Sequence, residues 1–135
     1  METGKESAFL FLCDEATEAE CITRQLMGTS HANALWAMSV QKGNYIYLLN
    51  FNTRVIRGPY TAVSTADCYE PSAWGGRFPV QVKVAKTTLT KRAEGHLPGA
   101  PGVLSKSRPP HALLGAASVE LFSWIQAVGK DEGAG

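Results

Sequence analysis

The residues of this chain best suited to doing chemistry are aromatic and basic rather than nucleophilic. Trp36 falls in a short helical turn, and Tyr69 and Trp74 lie in a later loop. Immediately after them the charge changes. Residues 1–76 hold five Lys or Arg against eight Asp or Glu, whereas residues 77–110 hold seven bases against Glu94 alone, a net of +6 inside a chain of net +1. Such local concentration of positive charge is the electrostatic footprint of a phosphate-facing surface. Arg77, Lys83, Lys86, Lys91 and Arg92 are the candidate contacts to a nucleic-acid backbone, with Lys106 and Arg108 completing the run. A solvated basic loop, with aromatic lids over a core, accounts for the same residues without any ligand.

Catalytic patterns are missing. His31, His96 and His111 stand at no metal-ligand spacing from a Cys, Asp or Glu, and no GxSxG, P-loop or GxGxxG motif occurs. Asp14-Glu15, at the end of an apolar run, reads as a strand terminus and turn rather than an acid–base pair. The expectation is a non-catalytic domain with no metal and no cofactor. Three cysteines (Cys13, Cys21, Cys68) without CxxC spacing read as small core residues in a reducing compartment, which implies an intracellular protein, cytoplasmic or nuclear. No apolar run approaches the ~18 residues of a membrane span, and Ala8–Cys13 is too short and wrongly flanked for a signal peptide.

The elements that must position these side chains are few. Ala8–Cys13 is apolar throughout, as in a strand buried on both faces. Thr17-Glu18-Ala19-Glu20 has the form of a capping box opening a helix to about Met27, with Gly28 as its left-handed stop and Ile22 and Leu26 facing the core. Ser30 caps a second short helical turn through Ala34, Leu35 and Met38. Tyr45–Phe51 alternates as a strand, Asn52-Thr53-Arg54 turns it, and Val55–Val63 returns with Gly58-Pro59 at a bulge or edge. Residues 64–76 form a loop, and Val80–Val84 is another alternating strand. A Gly-, Pro- and Ser-rich connection spans residues 95–115. The final helix, Ala117–Val128, has Val119, Phe122, Ile125 and Gln126 on one face, and Leu121 and Trp124 on an adjoining strip, where Trp124 serves as a core residue. The β-α-β-β-β-α order implies a mixed α/β domain: a strongly bent sheet or partly open β-barrel flanked by helices. One domain spans residues 8–128, with a flexible start at 1–7 and a flexible tail at 129–135.

Three stretches carry a resemblance. Phe9-Leu-Phe-Leu-Cys13, Thr17-Glu-Ala-Glu-Cys21 and Arg24-Gln-Leu-Met-Gly28 resemble the opening of the plant DCD (development and cell death) domain. Gly43 through Tyr60 is similar to its central hairpin. Glu70-Pro71-Ser-Ala-Trp74-Gly-Gly-Arg-Phe-Pro-Val-Gln-Val82 resembles its second signature, in which the Gly-Gly-Arg-Phe-Pro-x-Gln-Val block is the specific part. The likeness covers about residues 8–128. It departs at Met27, where Phe is usual, and at Thr29-Ser30, where the family has Leu-Pro. The resemblance implies a PUA-like fold, similar in layout to the YTH and EVE domains, which bind nucleic acids and, in YTH, read N6-methyladenine in RNA. Trp36 is placed like a YTH cage Trp, and Tyr69 and Trp74 have the spacing of further cage walls. The resemblance therefore implies RNA or DNA as partner, in its sharpest form with a methylated base boxed by Trp36, Tyr69 and Trp74, and no membrane. Its alternative is a DCD-type protein-interaction module in stress or cell-death signalling.

Overall fold

The structure is a computed structural model, and it describes residues 7–106 and 110–131. Arg108 of the basic run, the start at 1–6 and the last four tail residues lie outside the described residues. Among the described residues, eight strands form one sheet: β1 Ser7–Cys13, β2 Leu26–Thr29, β3 Tyr45–Asn50, β4 Val55–Ala62, β5 Val80–Ala85, β6 Lys91–Glu94, β7 Ala112–Leu114 and β8 Lys130–Asp131. The helices are α1 Glu18–Arg24, α2 Ala34–Ala37 and α3 Ala116–Val128. The sheet order is β2-β5-β4-β3-β1-β7, with β6 paired to β4 and β8 to β6. β1 and β3 are parallel and every other pair is antiparallel. β2, at one end of this order, lies against β1 near the other, so the sheet curls into an open half-barrel.

The uniform apolarity of β1 has a direct cause. Phe9, Phe11 and Cys13 enter a core inside the curl with Ile46, Leu48, Tyr60, Val82 and Val84, while Ala8 and Leu10 enter a second core beneath α3 with Tyr47, Leu49, Ile56 and Leu121. With both faces covered, no position is left for a polar residue. β4 is long enough to serve two partners, β6 along Val55–Gly58 and β5 along Thr61–Ala62. Gly58-Pro59 sits where the β3–β4 register slips, as a bulge requires.

Several local expectations are corrected. The left-handed residue ending α1 is Gln25, not Gly28, and the chain continues at once into β2, whose four residues are all buried. Thr17 forms no capping box. Its hydroxyl hydrogen-bonds with Asp14, whose carbonyl also accepts the Thr17 and Glu18 N–H groups, so Asp14 organises the turn. The Glu20 side chain reaches Arg24 and the Trp74 N–H instead. β7 lies within the connection expected to be irregular, β6 in a stretch to which the sequence assigns no element, and Lys130–Asp131 pairs as β8 where a frayed tail was expected. On α3 the buried residues are Ser118, Leu121, Trp124 and Ile125, so the adjoining strip faces the core and Val119 is exposed. Cys13 and Cys21 are buried free thiols, and burial pushes Cys21 up to about 12 and Cys13 in the same direction; Cys68 is exposed rather than core.

Candidate functional site

The loop carrying Tyr69, Trp74 and Arg77 is held by one buried glutamine. Gln81 on β5 accepts the Glu70 N–H at 2.8 Å and donates to the carbonyls of Glu70 and Phe78, both at 3.0 Å. Arg24 of α1 ties the same loop by its ion pair to Glu70, and Glu20, paired with Arg24 on α1, accepts the Trp74 N–H. Within it, Trp74 and Gly75 adopt left-handed backbone (φ 52° and 64°), and Gly76 follows with φ 84°. This turn drives the Trp74 ring inward, where it is only 4% exposed. Its Nε1 donates to the Thr17 carbonyl at 3.2 Å, and its ring lies so close over β2 that a Cβ on Gly28 would fall 2.5 Å from Cζ3. Gly28 is thus required by close approach, not by chain reversal.

Of the three rings expected to form a cage, Trp74 is buried, and Trp36 and Tyr69 are half-buried with other partners. Trp74 belongs to the core inside the curl. Trp36 is half-buried against that core, stacked on His111 at 4.4 Å with the planes 5° apart, edge-on to Phe11 at 4.9 Å and beside Phe9 at 6.3 Å. Tyr69 lies beneath Lys83, whose Nζ is 4.7 Å from the ring centroid, and its hydroxyl donates to the Thr65 carbonyl at 2.6 Å. Burial of the Trp74 ring removes the wall that sequence spacing had assigned to it.

A different opening uses the partners of these rings. A cleft of about 250 Å³ lies at the ends of β1 and β2, with His111 and Phe78 among its walls, Gly28 and Thr29 from β2, and Asp14 and Arg77 on its rim. Both aromatic walls are backed: His111 by the stacked Trp36, and Phe78 by Trp74, at 5.4 Å and 63°. His111 Nδ1 stands 3.1 Å from the Leu10 carbonyl, which fixes the ring plane. Asn33 donates to the Thr29 hydroxyl at 2.9 Å and completes one side. Asp14 Oδ1 accepts from the Thr17 hydroxyl at 3.0 Å and from the Thr17 and Ala16 N–H groups, each at 2.9 Å. The Thr17 hydroxyl foremost, then those amides and Arg77, hold the Asp14 carboxyl below its ordinary value against partial desolvation, so it is ionised at neutral pH.

The described residues of the basic run are divided between two strands and the segments beside them. Arg77, 56% exposed at its side chain, lies over the Phe78 ring at 5.0 Å and faces Asp14. Lys83 and Lys86 follow along and beyond β5, which starts at the cleft, where Val80 pairs with Thr29. Lys91 and Arg92 are on β6, which borders the other half of β4, and Lys91 is neutralised by Asp131. The backbone role expected of Lys91 therefore conflicts with its ion pair.

Sequence reasoning missed His111 and placed Asp14 only as a turn former. His111 meets Trp36 through tertiary packing across β1, so no local spacing signals it. Phe78 was visible inside the Gly-Gly-Arg-Phe-Pro block but carried no assigned role.

The family profile described as "Development and cell death domain" matches residues 7–93, stopping short of the residue 128 that the motifs suggest. The DCD domain-containing protein NRP-B of Glycine max is 31% identical over 84 residues, which is 56% of this chain and 26% of that protein; the match thus spans about a quarter of that relative. Among solved structures, the Mmi1 YTH domain is similar with a TM-score of 0.69 at 15% identity, covering 90% of this chain and 96% of that one. The Mmi1 YTH domain in complex with RNA gives 0.62 at 16%, covering 98% and 90%. The YTH domain of Zygosaccharomyces rouxii MRB1 protein in complex with N6-methyladenosine RNA gives 0.64 at 13%, covering 97% and 94%. At these identities the likeness is one of fold.

Proposed function

The chain belongs to the development and cell death domain family, and from that premise we propose that it is a non-catalytic domain that binds single-stranded RNA by holding one unpaired base in the cleft. The observation that carries this reading is the cleft itself, walled by His111 and Phe78, each backed by a tryptophan. Its volume of about 250 Å³ is smaller than the ~300 Å³ at which pockets for drug-sized ligands begin, and suits one flat ring system. An extruded base stacks on such rings whatever its sequence, because every base has a π face. The fold neighbours crystallised with RNA support the choice of RNA over DNA. Because the Trp74 ring is buried, and Trp36 and Tyr69 are engaged by His111 and Lys83, base stacking rather than methyl recognition carries the proposal. A methylated oligonucleotide should bind no better than its unmethylated twin.

Phosphates on one side of that base would follow β5, meeting Lys83 and then Lys86. Replacing both with alanine should weaken binding to every oligoribonucleotide and flatten the dependence of log K on log salt by about one unit per lysine. Arg92→Ala, on β6, should leave the slope unchanged. Fluorescence anisotropy at two salt concentrations measures both. No binding to any oligonucleotide by the folded protein would contradict the proposal.

A second reading has its own observation. α2 leaves Leu35 89% and Met38 69% exposed beside an apolar groove of about 310 Å³ that includes Ala34, Ala66, Pro79 and Val80. Such a surface fits a protein partner, as in an interaction module for stress or cell-death signalling. Leu35→Glu combined with Met38→Glu would abolish that partner's binding and leave RNA binding intact.

A further inference from the structure

We infer that Asp14 and Arg77 together read the Watson–Crick edge of the bound base and select guanine. This rests on the base-binding role proposed for the cleft and assigns Arg77 to the base edge rather than to a phosphate. Asp14 is split by its surroundings. Oδ1 already accepts three hydrogen bonds from Ala16 and Thr17, which fix the carboxylate in place. Oδ2 faces Arg77 Nη2 at 3.9 Å, beyond hydrogen-bond length, so the pair is aligned but not closed. Arg77 lies over the Phe78 ring at 5.0 Å, beside the wall on which a base would stack. The cleft therefore presents a pure acceptor beside a pure donor, next to its aromatic wall.

The four bases meet that pair differently. On its Watson–Crick edge guanine offers two adjacent donors, N1–H and the N2 amine, to the free carboxylate oxygen, with O6 beside them for the guanidinium. Adenine and cytosine each give the carboxylate one amine N–H, from N6 or N4, and the guanidinium the neighbouring ring nitrogen, one contact fewer than guanine. Uracil likewise gives one N3–H to Asp14 and one carbonyl to Arg77. Guanine alone gives the carboxylate two donors while keeping an acceptor for the guanidinium.

The test uses oligoadenylates that carry guanosine, adenosine, inosine or N1-methylguanosine at one central position, titrated by anisotropy. The single guanosine should tighten binding about tenfold over adenosine, which is within the range of one good base-edge contact. Inosine, without the N2 amine, should fall between, and N1-methylguanosine should bind no better than adenosine. Asp14→Asn retains an oxygen to accept the Ala16 and Thr17 N–H groups but places a donor where Oδ2 stood. It should erase or reverse the preference while the protein stays folded. Arg77→Gln, at an exposed side chain, should also erase the preference. Equal affinity of the wild type for all four oligonucleotides, or an undiminished guanosine preference in Asp14→Asn, overturns the guanine assignment and leaves RNA binding standing. Failure of the folded protein to bind any of the four removes the RNA reading and this assignment together.

Discussion

Replacing Trp74 with alanine should cost about 3–5 kcal/mol of stability, the range for emptying a buried tryptophan site. That is a large part of the ~5–15 kcal/mol that holds a domain of this kind together. The ring fills the space above Gly28, contacts Phe78, and satisfies the Thr17 carbonyl from within the core. Its removal leaves a cavity between β2 and the loop, and no side chain on Gly28 can close it. The urea midpoint should fall sharply without a change in m-value. A midpoint that stays in place while affinity for an oligonucleotide drops would mean that the ring is an exposed wall after all. Trp124→Ala should destabilise comparably, because that ring packs under α3 with its Nε1 donating to the Pro98 carbonyl at 3.3 Å.

His111→Ala and Phe78→Ala should act in the opposite manner. Both rings are only half-buried, and each lies on a tryptophan that remains in place. Each change removes one stacking face from the cleft, at about 1–3 kcal/mol or about 5- to 150-fold in affinity for single-stranded RNA. Thermal unfolding of both variants should resemble the wild type. An unchanged affinity in both, with the protein folded, would place the RNA elsewhere on the surface.

The contrast between these variants shows what the sequence makes legible. The four long strands are readable because β1 is apolar on both faces, β3 and β5 alternate, and β4 returns from a hairpin turn, and all four lie within a residue or two of their expected bounds. β2 is not readable, since Leu26-Met27 continues the apolar spacing of α1 and the break falls at Gln25, which carries no glycine signal. β6 and β7 are set by pairing with β4 and β1 rather than by their own composition. For the site, the Gly-Gly-Arg-Phe-Pro-x-Gln-Val block marks the right loop, but residue type cannot say which of Trp74 and Phe78 faces outwards. The left-handed backbone at Trp74 decides it, and the buried Gln81 fixes Phe78. The charge run misleads for the same reason. Consecutive lysines separate onto β5 and β6, and one of them meets Asp131 on a strand that sequence alone does not reveal.

The central claim, that one unpaired base occupies the cleft between His111 and Phe78, is tested most directly by nuclear magnetic resonance on the isotope-labelled domain titrated with a short oligoribonucleotide. The His111 and Phe78 ring signals, the Thr29 amide and the Arg77 guanidinium should shift together and saturate with one binding constant. Intermolecular nuclear Overhauser effects should link both rings to a single base, and the Trp124 indole beneath α3 should stay in place. Shifts confined to Leu35, Met38 and the groove beside α2, with the His111 and Phe78 signals unmoved at saturation, would contradict the account.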